Sequence, residues 1–433
     1  MKFALVNPNW TFERSIYFGC REPHLPLEYG YAKALLEQAG HEAEIIDGQL
    51  FNLGLEQIRD RVAALDPDVA VIATAPSYLF WRCPPPELRV PQELARALRP
   101  HADLLVAVGP HASVTPRAAL AKLSVDLVVM GECEEVLARI ASSERDEIDG
   151  IAYRTNGGVT VQGAPQAADL GRLPALVWPD EWVHRHGHHH HRFDGQPHGP
   201  GAEMETSRGC PYHCSFCAKI DFRDRYRKRP LAVIAEELDR LVAQGIEYVY
   251  FIDEIFLPNR ELLELIAARN VKFGVQTRLD IWKPELIELL GKAGCVSVEA
   301  GVESLSPAGR AELDKNCRMD TDELTQRLIL ARKHIPFVQA NLIRMPQDDI
   351  DTVRRWREAL QSEGVWANDP VPLFPYPSSP DYRKLWGVPD DRAWERALSH
   401  YLGQFGSMSE LQDERPLPLE QLEHEWEAAW LSR

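Results

Sequence analysis

Three things are scarce in this chain, and each scarcity excludes something. No apolar run among the 433 residues is long enough to cross a bilayer, and no apolar signal segment follows Met1. The most apolar stretches, such as "ALVNP" and "DVAVIATAP", are strand-length, so the sequence predicts a cytoplasmic protein with no membrane partner. Positive charge is also short: 48 Lys and Arg stand against 65 Asp and Glu, a formal net charge of −17. Binding a phosphate backbone needs clustered Lys and Arg. The main basic run, Arg223 to Arg229, does not offset that balance, so no nucleic-acid partner is expected. Cysteine is the third. Eight in a chain of this length do not make a disulfide framework. Cys20, Cys83, Cys133, Cys295 and Cys317 are scattered and read as small buried apolar residues. The other three, Cys210, Cys214 and Cys217, crowd together, which in a reducing compartment points to metal or catalysis.

The length exceeds one ordinary core, so about two or three domains are expected. Residues 1–150 alternate short Val-, Ile- and Leu-rich runs with helical patterns, which predicts an α/β domain with a doubly wound, Rossmann-like parallel sheet. Ligands bind such sheets at the carboxyl ends of the strands. Here those ends are Asn7-Pro8-Asn9, Asp47-Gly48, Thr74-Ala75-Pro76-Ser77, Gly109-Pro110-His111 and Gly131-Glu132. Residues 151–201 lose the alternation. They hold a hairpin pattern with an Asn-Gly turn and then a Pro-, Trp- and His-rich stretch, together read as a linker. In residues 202–382 the alternation returns, with strands expected at "AEMETS", "YVYFID", "VKFGVQT", "VSVEAG", "FVQANLI" and "PVPLFPY". Six strand–helix units suggest a partial (β/α)6 TIM-like barrel with its active face at the strand C-termini. Residues 383–433 read as an acidic, Trp-rich helical extension without a chemical motif.

The segment "SRGCPYHCSFCAK" follows the first barrel strand and puts the three cysteines on one loop in a CxxxCxxC spacing. Three thiolates can each hold one iron of a cubane [4Fe-4S] cluster, leaving the fourth iron open. An open iron can chelate the amino and carboxylate groups of methionine and set a sulfonium beside an electron donor. One electron then cleaves S-adenosylmethionine to a 5′-deoxyadenosyl radical, which the protein must position and shield. Structural zinc is the alternative. It needs a fourth ligand and usually pairs two short Cys motifs; no second CxxC exists, although His213 could be recruited. The position at the mouth of a barrel strand favours the cluster.

This loop resembles that of the radical S-adenosylmethionine (SAM) superfamily, and the resemblance extends across the barrel. It implies an adenine contact for Phe216 and a methionine-amino contact for Asp253-Glu254 in "FIDEIF". It implies that Glu303 and Ser304 of "GVES" approach the ribose or methionine, and that Gln276 and Arg278 line the same SAM-binding cavity. "PLFPYPSSPDY" resembles a closing motif of the subfamily that carries a cobalamin domain. One departure stands out: where that family has a Gly-Leu-Pro-Gly-Glu type sequence, this chain has "RMPQDD". Arg344 therefore stands in place of Gly, as a substrate contact or as the partner of an acidic neighbour.

In the front domain, "LPLEYGYAKALLEQAGHEAEIID", "VGPHAS" and "MGECEE" resemble the cobalamin-binding domain fused to radical SAM enzymes. That resemblance implies cobalamin contacts at Thr74, Ser77, Tyr78, Gly109, His111 and Glu132. An Asp-x-His-x-x-Gly loop would supply a histidine to cobalt, but after the first strand this chain has "NPNWTFERS", and His111 lies on the wrong strand for that role. Base-off cobalamin without a protein histidine on cobalt is therefore expected. Tyr78, Leu79 and Phe80 either meet its lower face or pack in the core. The histidine run (His184, His186 and His188 to His191) reads as a solvated linker, as a substrate contact through His188, His191, Arg192 and Asp194, or as a metal site.

Taken together, the resemblance implies a class B radical SAM methyltransferase-like enzyme. It would use a [4Fe-4S] cluster, SAM and cobalamin to methylate an unactivated carbon of a small polar molecule, with an external one-electron reductant of flavodoxin or ferredoxin type. Radical rearrangement, ring contraction or cyclisation without net methyl transfer is the alternative. A non-catalytic cobalamin or metal sensor is the reading from another class. Methylthiolation of transfer RNA is disfavoured by the acidic balance and by the lack of three extra N-terminal cluster cysteines.

Overall fold

The computed structural model describes residues 1–10, 23–76, 86, 88–185 and 200–405. In chain order the first unit comprises β1 (Lys2–Asn7), α1 (Leu27–Gln38), β2 (Glu42–Asp47), α2 (Leu55–Leu65), β3 (Val69–Ala73), α3 (Arg89–Leu98), β4 (Leu104–Val108), α4 (Pro110–Val114), α5 (Pro116–Leu123), β5 (Leu127–Val129), α6 (Glu134–Ile140), β6 (Ile151–Thr155) and β7 (Gly158–Gln162). Its sheet has the order β2-β1-β3-β4-β5-β6-β7. The first five strands are parallel, and the β6–β7 hairpin adds two antiparallel strands at the β5 edge. The strands are built from continuous Val, Ala, Ile and Leu because helices cover both faces; every residue of β3 is buried. The hairpin expected in the linker is thus the edge of the front sheet.

A second unit follows helix α7 (Asp180–Arg185). It contains β8 (Gly201–Met204), β9 (Ser207–Arg208), β10 (Arg227–Lys228), α8 (Leu231–Ala243), β11 (Tyr248–Phe251), α9 (Arg260–Ala267), β12 (Lys272–Thr277), α10 (Pro284–Lys292), β13 (Cys295–Glu303), α11 (Pro307–Glu312), α12 (Thr321–His334), β14 (Phe337–Leu342), α13 (Ile350–Ser362), β15 (Trp366–Ala367), α14 (Pro380–Trp386) and α15 (Ala393–Phe405). Six parallel strands run in the order β15-β14-β13-β12-β11-β8, an open sheet with two edges rather than a closed barrel. The sixth strand is Trp366–Ala367 and not "PVPLFPY". Prolines supply no N–H to a ladder, and that segment makes a single bridge, Ile343 to Val371.

One contiguous apolar core runs through both units. The C-terminal helices add a strap. Trp394 of α15 donates its indole N–H to Thr115 Oγ1 at 3.0 Å and packs on His111 with ring centroids 4.1 Å apart and the planes tilted by 40°. Lys122 donates to Asp391 O at 2.6 Å. No helix among the described residues is long and apolar enough to cross a membrane.

Candidate active site

The three cysteines lie on the excursion between β9 and β10, which pair antiparallel (Arg208 with Arg227, Ser207 with Lys228) and close its base. The loop leaves β9 through Gly209 at φ +77°, where a Cβ would meet Arg225 O at 2.2 Å, so only glycine fits. Several bonds then fix the turn. Cys217 N–H donates to Cys214 O at 3.1 Å, and Lys219 Nζ donates to Cys210 O at 2.8 Å and to Asp224 Oδ1 at 2.6 Å. Ser215 N–H donates to Leu313 O, and Ser215 Oγ donates to Asp381 Oδ2 at 3.0 Å. Cys210, Cys214 and Cys217 are half-buried and carry no disulfide.

Burial pushes the thiols of Cys210 and Cys214 up, while Lys219 pulls the first and Lys315 and Arg278 the second back down. Lys219, Lys315 and Arg278 thus favour the thiolate forms that would hold iron, against the effect of burial. A cubane takes one thiolate per iron, so three cysteines on one loop suit three of its four irons. Phe216 packs on Leu313, Ile343 and Met345 beside the loop.

The other strand ends hold the expected residues, though several are turned to neighbours. Asp253 is buried and accepts from Thr206 N–H (2.7 Å), Thr206 Oγ1 (2.5 Å) and Ser207 Oγ (2.6 Å), so it braces the root of the cysteine loop. Burial still pushes it up to about 7. Glu254 accepts from Gly209 N–H at 2.7 Å and is charge-coupled to Cys210. Glu303, at φ +68°, pairs with Lys315 at 3.1 Å near Cys214. Ser304 donates to Asp348 Oδ1 at 2.8 Å. Gln276 donates to Glu299 Oε2 at 2.7 Å. The Arg278 guanidinium lies 4.0 Å over the Tyr212 ring and pairs with Asp280 at 2.7 Å. Arg344 is exposed, with its N–H donating to Val371 O.

On the front rim Thr74 is fully buried at the end of β3, and its Oγ1 has no hydrogen-bond partner among the described residues. Gly109 leaves β4 at φ +122°. An orphaned hydroxyl beside a side-chain-free turn fits a bulky ligand that brings its own polar groups. His111 and Glu132, the other residues expected at cobalamin, face protein neighbours. The His111 ring is sealed under Trp394. Glu132 accepts from Ala168 N–H at 3.0 Å and from Arg208 at 2.9 Å, and pairs with Arg227. Ser77, Tyr78, Leu79, Phe80, His186, His188 to His191, Arg192 and Asp194 lie outside the described residues.

Sequence reasoning missed the seam between the units. Arg208, fully buried, meets Glu132 (2.9 Å) and Glu134 (2.6 Å) of the front unit and Glu205 (2.7 Å) after β8. Arg223 reaches Glu205 at 3.3 Å and Glu254 at 3.5 Å. His24, entering α1, pairs with Glu203 on β8. Burying so much charge is tolerated only when each ion is matched. The signal available was "SRGC", an arginine two residues ahead of the first cysteine.

The family model described as the B12 binding domain matches residues 21–141, and that of the radical SAM superfamily matches residues 204–360. The chain carries a B12-binding domain followed by a radical SAM domain. Cobalamin, a [4Fe-4S] cluster and SAM are the cofactors these domains imply. The chain is 26% identical over 326 residues to an uncharacterized methyltransferase of Pyrococcus horikoshii, covering 71% of this chain and 66% of the relative. It is likewise 26% identical over 413 residues to the anaerobic magnesium-protoporphyrin IX monomethyl ester cyclase of Cereibacter sphaeroides, covering 89% and 64%. It thus spans just under two thirds of these relatives' lengths. Its fold matches the radical SAM methyltransferase TsrM of Kitasatospora setae, solved with tryptophan substrate and a SAM analogue. The TM-score is 0.70 at 19% identity, over 89% of this chain and 76% of that one. In this B12-binding radical SAM chain the cysteine loop and the front rim are joined directly by the Arg208 cluster.

Proposed function

We propose that this chain is a cobalamin-dependent radical SAM methyltransferase that methylates a carbon of a small polar molecule in the cytoplasm. It would draw single electrons from a flavodoxin- or ferredoxin-like protein. When bound, the cluster supplies the electron that cleaves SAM, and cobalamin supplies the methyl group. One observation carries the reading: the ligand-facing strand ends of the two sheets abut. Glu132 at the end of β5 meets Arg208 just ahead of Cys210, which supports cofactor sites that face one another across this seam. A radical and a methyl donor that act on the same carbon need that arrangement.

The chain's own residues do the positioning. Cys210, Cys214 and Cys217 would ligate iron, with Lys219 fixing the Cys210 carbonyl. Glu254 and Glu303 beside the cysteines are the carboxylates available to the amino and ribose groups of SAM, and Phe216 is the aromatic surface available to adenine. Thr74 and the Gly109 turn would take the cobalamin edge. The apolar packing of Phe216, Leu313, Ile343 and Met345 excludes water from one side of the loop.

Anaerobic turnover with methyl-labelled SAM tests the reading. S-adenosylhomocysteine and 5′-deoxyadenosine should form in equal amounts, with label in a product heavier by one methyl group. Release of 5′-deoxyadenosine without S-adenosylhomocysteine would replace methylation by cyclisation or rearrangement, the second reading, which the similarity to a cyclase over 89% of the chain favours.

A further inference from the structure

Three cations act on the cysteine thiols, and their hydrogen bonds differ. An ammonium has three N–H donors. Lys219 Nζ donates to Cys210 O (2.8 Å), Asp224 O (3.1 Å) and Asp224 Oδ1 (2.6 Å). Lys315 Nζ donates to Glu303 at 3.1 Å. Arg278 is the exception. A guanidinium has five N–H donors in a planar fork. Its Nε donates to Asp280 Oδ1 at 3.1 Å, and Nη2 donates to Asp280 Oδ2 at 2.7 Å and to Asn316 O at 3.4 Å. Nη1 is buried and has no acceptor among the described residues.

The guanidinium is held from two sides. β12 ends at Thr277, whose Oγ1 accepts from Trp282 Nε1 (2.9 Å) and donates to Phe256 O (2.7 Å). The 3-10 turn Leu279–Ile281 then returns Asp280 to Arg278. From the other side, the Tyr212 ring of the cysteine loop lies under the guanidinium, with its centroid 4.0 Å away. Tyr212 is flanked by Cys210 and Cys214 in sequence, and the charge of Arg278 reaches Cys214. Both members of the Arg278–Asp280 pair are buried, so water screens this charge little. A buried cation with an unmatched nitrogen requires an anionic acceptor. Asp280 occupies the Nε–Nη2 edge of the fork and Tyr212 its face, so that acceptor belongs at Nη1.

We infer that the acceptor is the iron–sulfur cluster itself, that Nη1 hydrogen-bonds sulfur on its Cys214 side, and that Arg278 thereby sets the reduction potential. Reduction adds negative charge to the cluster. A cation held beside it in a low-dielectric site, donating to its sulfur, favours the reduced form. Asp280 offsets part of that charge, so the potential is fixed by the pair. Arg278, placed by resemblance in the SAM cavity, acts instead on the electron that the cluster accepts. The inference rests on ligation of the cluster by the three cysteines and not on what the enzyme does with SAM.

The test is an anaerobic redox titration of the reconstituted full chain without SAM, followed by electron paramagnetic resonance of the reduced cluster. At the wild-type midpoint, the ratio of reduced to oxidised cluster in Arg278→Gln should be about tenfold lower, a shift of about 59 mV to more negative potential for a one-electron couple. Asp280→Asn removes the opposing charge and should raise the ratio. A merely structural role would not move the potential in opposite directions from two adjoining side chains. Iron content reports whether each variant is loaded. Should R278Q fail to load, D280N decides, since an unchanged or lower ratio in it overturns the inference. A wild-type midpoint in loaded R278Q overturns it too. If that variant keeps the midpoint but binds SAM more weakly, Nη1 serves the SAM carboxylate and the inference is lost. Because no SAM is present, the result is independent of turnover. Shifted midpoints in an enzyme yielding neither S-adenosylhomocysteine nor 5′-deoxyadenosine would sink the methyltransferase reading and leave the inference standing.

Discussion

Arg208 Nη1 lies 2.9 Å from Glu132 Oε2, and neither side chain exposes more than 1% of its surface. With Glu134 and Glu205 on the same guanidinium, this arginine neutralises carboxylates from both units at once. Replacing it with Met leaves buried carboxylates without their counterion, a change that costs about 3–5 kcal/mol. The urea midpoint of Arg208→Met should fall accordingly. A loss below about 1 kcal/mol would mean that the cluster relaxes into water and does not hold the seam.

Changing any of Cys210, Cys214 or Cys217 to Ala should lower iron from about four atoms per chain to a small remainder and abolish 5′-deoxyadenosine formation. Cys295→Ala serves as the control, since that thiol is buried far into the core and donates to Ser297 O. Iron and labile-sulfide assays on anaerobically reconstituted protein decide it. A full cluster in the triple variant would falsify the ligand assignment.

Two carboxyl groups give stability opposite pH dependences. Burial raises Glu132, but Arg208, Arg227 and Arg223 outweigh it and bring it down to about 2. Its folded value is below its ordinary one, so its contribution is complete above pH 4.5 and is lost as pH falls towards 2. Asp253, raised by burial to about 7, has a folded value above its ordinary 3.8. Stability should therefore decline as pH rises from 3.8 to about 7, by on the order of 4 kcal/mol, and then level off. Melting curves of Asp253→Asn between pH 4.5 and 7 should slope less than those of wild type, the remainder coming from Asp47, which burial raises to about 6. An unchanged slope would exclude Asp253 as its source.

Cobalamin should bind base-off, with cob(II)alamin showing no nitrogen hyperfine coupling in electron paramagnetic resonance. Thr74→Val keeps the side-chain shape but removes the orphaned hydroxyl. It should weaken cobalamin by about tenfold, the worth of one hydrogen bond, while leaving iron content unchanged. Equal affinities for the two proteins would take Thr74 out of the site.

Much of the architecture was legible because parallel strands covered on both faces must be continuously apolar, as "VAVIA" and "LLVAV" are. The hairpin at residues 151–162 could be recognised as a hairpin, but its docking on β5 depends on a distant edge that local pattern does not encode. The sixth strand was misplaced because apolar content in "PVPLFPY" outweighed the missing proline donors, whereas the true strand, Trp366–Ala367, is too short to leave a periodic signal. For the site, pattern located strand ends but not side-chain direction. Asp253, Ser304 and Glu132 do end strands, yet they turn towards Thr206, Asp348 and Arg208. That Gln276, Glu299 and Gln339 lie side by side across β12, β13 and β14 was not legible, because register decides whether such residues meet.

The strap formed by α14 and α15 bears on how the molecule is made. Asp381 grips Ser215 within the cysteine loop, and Trp394 caps His111 and Thr115 on the front unit. Both residues leave the ribosome after everything they hold. During synthesis the two units can fold in turn, but the cysteine loop and the front rim lack this fastening until Asp381 and Trp394 have emerged. Insertion of the cluster and of the corrin can therefore precede the fastening, and a nascent chain stalled before residue 380 would present both sites unstrapped.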